Sequence, residues 1–117
     1  MNPKELKRRT KNFALRIIKL SRTIPKADDA GRVITKQIIR SGTSVAANYR
    51  ATCRARSKAE FIAKIGTVEE EADETALWLE LLAESGIKSA SQLSALLQEA
   101  NDLTAIMAAS RKTATGA

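Results

Sequence analysis

The sequence predicts an all-α protein, an antiparallel up-down-up-down four-helix bundle, and three observations carry that expectation. Four stretches place apolar residues at alternating steps of four and three, the spacing of one helix face. Ala, Leu, Ile, Lys, Arg and Glu dominate, and these residues favour helix over strand. The two prolines, Pro3 and Pro25, sit at or near boundaries, and no Asn-Gly or Asp-Gly pair signals a hairpin. At 117 residues the chain has room for one domain with one modest core. That domain is expected over residues 1–112, with 113–117 a frayed tail.

The first helix is expected from Lys4 to about Thr23, with Leu6, Thr10, Phe13, Ile17, Leu20 and Ile24 inward. Pro25 follows its last turn. Asp28 and Asp29 put negative charge where a second helix begins, as the helix dipole favours. Ser57-Lys58-Ala59-Glu60 has the form of a capping box opening a third helix. Phe61, Ile65, Val68, Ala72, Thr75, Leu79 and Leu82 are its inward stripe, and Gly86 is placed to close it. Ser89-Ala90-Ser91-Gln92 can open a fourth, with Leu93, Leu96, Leu97, Ala100, Leu103, Ile106 and Met107 inward. Short connections make consecutive helices antiparallel.

The second helix, through about Arg54, is the informative one. Ile34, Ile38, Ser41, Val45, Asn48 and Thr52 form one stripe, while Lys36, Arg40, Thr43, Ala47, Arg50 and Arg54 lie opposite, basic with small residues in the middle. A third, semi-apolar stripe is Ile39, Gly42, Ala46, Tyr49 and Cys53. A bundle helix is expected to need only one buried face, so this third stripe suggests a subunit contact. Gly42 inside a helix costs about 1 kcal/mol relative to Ala, and close helix packing is the usual reason for one.

Charge is unevenly spread. Residues 1–56 hold 15 Lys/Arg against 3 Asp/Glu, and residues 57–117 hold 5 against 10. Candidate phosphate contacts are the run Lys7, Arg8, Arg9 and Lys11, the stripe Lys36, Arg40, Arg50 and Arg54, and the corner residues Arg56 and Lys58. The same asymmetry suits pairing between helices or subunits. With Phe13, Phe61, Tyr49 and Trp78 as the whole aromatic set, backbone recognition is favoured over base stacking.

The chain has no histidine and one cysteine, which removes the usual zinc arrangements and an intrachain disulfide. No phosphate-loop or dinucleotide fingerprint is present, and no nucleophile–base arrangement follows from spacing. No cofactor is expected. Arg16 and Lys19 interrupt the one apolar run near the start, so no membrane segment is expected and a cytoplasmic location is.

The run QIIRSGTSVAANYRA, then RSKAEFIAKIG and EEADETALWLELLAESG, resembles the small four-helix-bundle family of 23S rRNA intervening-sequence proteins. Gln37, Arg40, Ser41, Ser44, Asn48, Ser57, Glu60, Phe61, Glu74 and Leu79 carry the match, which covers roughly residues 10–88. Many members have Glu-Gly soon after the Asn, where this chain has Ala51-Thr52, so a role resting on that Glu does not transfer. The resemblance implies a left-handed bundle, often a homopentamer, without established enzymatic activity. It also implies kinship with accessory proteins of diversity-generating retroelement reverse transcriptases, where a basic pentamer engages nucleic acid and the polymerase. Two functions remain open at this level: a nucleic-acid-binding oligomer, and a protein scaffold whose basic face meets acidic helices.

Overall fold

Each helix begins on a side chain that satisfies an amide the helix itself leaves unpaired. In the computed structural model, which describes residues 1–116, the four helices are α1 (Pro3–Ser21), α2 (Asp29–Thr52), α3 (Lys58–Glu84) and α4 (Ala90–Thr115). Asn2 Oδ1 accepts the Glu5 amide at 2.9 Å, Asp28 Oδ1 that of Gly31 at 2.8 Å and Ser57 Oγ that of Glu60 at 3.0 Å. Ser89 and Gln92 form the full reciprocal box. Such caps contribute about 1 kcal/mol each. Gly86 takes the left-handed conformation just past α3, with φ of 80°. Gly116 does the same after α4, which runs through Thr115. Ala117 lies outside the described residues.

The helices form a square in which α1 packs on α2, α2 on α3, α3 on α4 and, most sparsely, α4 on α1. The rod they build measures 46 × 21 × 21 Å. Phe13, Ile17, Ile38, Val45, Ile65, Val68, Leu79, Leu82, Leu103 and Met107 are fully enclosed at its centre. No described side chain leaves a buried polar atom without a partner.

Two adjacent residues of α2 fix both of its neighbours. The hydroxyls of Ser41 and Thr75 lie 2.8 Å apart across the α2–α3 contact, both residues wholly buried. Each also reaches a carbonyl of its own helix, Ile38 and Glu71, so both protons have acceptors. On the other flank, Gly42 receives Ile17 of α1: a Cβ at position 42 would lie 2.9 Å from both Ile17 Cγ1 and Cγ2. The Gly42 position of the third stripe therefore faces α1 within the same chain. Tyr49, 5% exposed, is part of the core, and Ile39 packs against it. This corrects the expectation of one buried face: a helix in a square has two neighbours, and its buried arc is wide enough for both. Of the five residues expected at a subunit interface, Gly42 and Tyr49 are spent inside the chain, and Cys53 alone is exposed.

Gly42→Ala gains about 1 kcal/mol of helix propensity but overpacks an enclosed, branched neighbour at a cost of about 1–3 kcal/mol. A net loss near 1 kcal/mol is expected in urea unfolding. Gly66→Ala is the contrast, because its Cβ would meet only Arg111 Cδ at 3.8 Å. That variant is expected to be more stable by up to about 1 kcal/mol.

Candidate nucleic-acid interface

Because α1 and α2 run antiparallel, the first half of α1 lies beside the second half of α2. Lys4, Lys7, Lys11 and Ala14 follow at steps of three and four along one edge of α1. Thr43, Ala47, Arg50 and Arg54 do so along the facing edge of α2, with Ala46 beside them. Together with Arg8 they line an open groove of about 730 Å³. Its floor is made of Ala14, Thr43, Ala46 and Ala47, short side chains that leave a depression, and six cations stand around it. None of the six enters an ion pair among the described residues, and the groove lining holds no acid.

The structure divides the predicted cations sharply. Lys7, Arg8, Lys11, Arg50 and Arg54 come together in the groove. Arg54 also lines, with Arg56, Glu60 and Lys64, a small depression at the α2–α3 corner that extends the basic surface. Lys58 is exposed nearby at the start of α3 but lines neither hollow. Lys36 is exposed on α2, yet at about 1.5 Å of rise per residue it sits roughly 21 Å from Arg50.

Two arginines predicted as phosphate contacts are held within the chain. Arg9 grips Glu99 of α4 with Nε and Nη2, both at 2.7 Å, which raises its already high pKa. Its helical phase turns it toward α4, and the partner lies ninety residues away in sequence. Arg40 binds Glu74 and, at 3.1 Å, Glu71 of α3. Arg111 pairs with Glu69. Part of the basic–acidic asymmetry is thus pairing between helices of one chain. Lys4 and Lys64, not singled out from the sequence, belong to the basic surface; Lys4 is readable from its three-residue step to Lys7, Lys64 only from the corner's geometry.

Glu74 is also bound by the Trp78 indole, whose Nε1–H donates to Oε2 at 3.0 Å. That hydrogen bond, and then Arg40, hold the carboxyl below the ordinary glutamate value, while partial burial opposes them. Burial pushes the Tyr49 phenol upward. Among the described residues no group of three or more His, Cys, Asp and Glu is placed to hold a metal. No helix there is long and apolar enough to cross a membrane.

Fold and site together define a four-helix bundle with a cationic groove between α1 and α2 whose cations are unpaired among the described residues. Residues 4–109 match the family described as 23S rRNA-intervening sequence protein. The chain belongs to that family. A crystal structure from Bacteroides thetaiotaomicron VPI-5482, described as a protein of unknown function from the S23 ribosomal protein family, superposes with a TM-score of 0.87. Its sequence is 32% identical, over 96% of this chain and 99% of that one. No curated protein matches the chain. Neither description names a catalytic activity.

A depressed folded-state pKa means that Glu74 contributes stability above the unfolded value, about 4.3, and that this contribution is lost as pH falls through the lower folded value. Trp78, the one tryptophan, reports on the carboxyl it binds. Its emission is expected to titrate with a midpoint below about 4.3 and to lose that transition in Glu74→Gln. A midpoint at or above the ordinary value would contradict the assignment.

Proposed function

We propose that this protein is a non-enzymatic, nucleic-acid-binding bundle that takes phosphate backbone in the α1–α2 groove. The observation that supports this reading most is the convergence of six cations, none paired among the described residues, over a floor of small residues. Other arginines of the same chain do find carboxylates, so the groove is not simply a protein with too few acids nearby. Long cationic side chains around a shallow hollow can each meet a separate phosphate without deep burial, at little desolvation cost. The lining offers Thr43 as its one hydroxyl and neither aromatic rings nor amide side chains, so binding is expected to be largely independent of sequence.

A specific observation favours a second reading. The outer side of α3 exposes Glu70, Asp73, Glu80 and Glu84 around Leu77 and Leu81, and none of these acids is paired among the described residues. That surface suits a protein partner, or another copy of the chain in a homo-oligomer, and does not compete with the groove for residues.

Arg50→Glu with Arg54→Glu is expected to weaken RNA or DNA binding more than about tenfold and to lower the salt slope by about 2. Lys36→Glu, distant on the same helix, is expected to change binding less than about twofold. Undetectable binding of the wild type near 100 mM salt, a condition where backbone contacts still hold, would sink the proposal. So would an unchanged double variant. Light scattering on the same samples tests the homo-oligomer form of the second reading, which a monomer at micromolar concentration would contradict.

A further inference from the structure

The groove accounts for one flank of α1, but α1 carries unpaired cations on its other flank too. Toward α4, Arg16, Lys19 and Lys88 line a second open depression of about 420 Å³, floored by Leu20, Ala95 and Leu96. Its lining holds no acid, and its three cations form no ion pair among the described residues. The neighbouring stretch of the same seam is where Glu99 neutralises Arg9, so the cationic character resumes only beyond that pair. Between the two flanks runs the crest of α1, where Arg8, Lys11, Lys19 and Arg22 stand four and seven residues either side of Leu15. Leu15 is 54% exposed, an apolar side chain with two cations before it and two after it along the same face.

Two cationic tracks thus lie about 10 Å apart, on either side of one helix. They are staggered along it, the first centred near Lys7 and Lys11 and the second near Arg16 and Lys19. A single strand has one backbone and can follow one track. A duplex presents two backbones with a groove between them. The basic surface has no ring to stack bases on: Phe13 and Tyr49 are buried, and Phe61 and Trp78 pack against the core. α1 also packs on α2 along one flank and, more sparsely, on α4 along the other, in a rod 21 Å across. A DNA major groove, about 8.5 Å deep, suits a helix that stands clear of its neighbours, and the DNA minor groove, about 6 Å wide, is narrower than a helix. The wide, shallow minor groove of A-form RNA accepts a low surface and displays ribose edges, which an exposed leucine can cover.

We propose that α1 is the bearing surface for double-stranded RNA, with one phosphate strand on each track and Leu15 over the groove between them. This rests on the phosphate-binding reading of the α1–α2 groove and adds the second strand, the Lys19/Lys88 track and the A-form geometry. Fluorescence anisotropy would be measured with a labelled RNA duplex two turns long, a DNA duplex of the same sequence, and the single RNA strand. The RNA duplex is expected to bind about tenfold more tightly than either alternative. Lys19→Glu with Lys88→Glu, checked for an unchanged circular-dichroism melt, is expected to weaken the RNA duplex about tenfold and the single strand less than about twofold. Should the melt change, Lys19→Gln with Lys88→Gln, which removes the charge alone, is read in its place with the same expected direction. An RNA duplex bound no more tightly than the single strand would overturn the proposal. Equal binding of the DNA duplex, or a duplex affinity indifferent to both Lys19/Lys88 variants, would do so as well. If none of the three probes binds, the groove reading itself fails, a result distinct from all of these.

Discussion

The contact of Ile17 with Gly42 sets how near α1 comes to α2, and the basic surface is a consequence of that distance. Position 42 has no room for a Cβ, so the glycine is the condition for the approach. Its neighbour Ser41 meets Thr75 on the opposite flank, so two consecutive residues hold α2 against both neighbours. With α1 drawn in, Ala14, Ala46 and Ala47 come to floor a shared hollow and the longer cations beyond them converge on it. A wider separation would turn the same residues into two unrelated solvated faces.

The charges divide by whether the square gives them a partner. Arg9, Arg40 and Arg111 face acidic positions on a neighbouring helix and pair there. The outer edges of α1 and α2 face each other, and both are basic, so the cations of the groove have none among the described residues. Ion pairs open to solvent are worth only about 0–1 kcal/mol each, so those of Arg40 and Arg111 contribute little stability, and the bidentate, partly buried Arg9–Glu99 pair contributes the most of the three. Their larger consequence is to decide which cations stay available. The unpaired ones raise the local positive potential, which steers a polyanion toward α1.

Much of the fold was legible because it rests on local periodicity and caps: four stripes, three of the four N-terminal side chains and the glycine closing α3 can all be read within a few turns of sequence. The site was legible only in part. Lys7, Lys11, Arg50 and Arg54 could be named from their helical phase, but nothing local says that the first pair faces the second. Arg9 looked like one more member of a basic run, because its partner Glu99 is visible only once α4 folds back beside α1. The Ile39–Gly42–Ala46–Tyr49 stripe suggested another subunit because one helix read alone does not show that it has two neighbours. Several residues that carry the family resemblance, Arg40, Ser41 and Glu74 among them, turn out to hold α2 to α3. What identifies the family is thus largely what keeps the bundle together, and the candidate interface lies on the other side of α2.

The most direct test of the account is to map the bound polyanion by NMR. Amide shifts followed while an RNA duplex is titrated in should move along α1 and around Ala47, Arg50 and Arg54, leaving the outer side of α3 unchanged. Changes centred on α3, or spread evenly over all four helices, would contradict it.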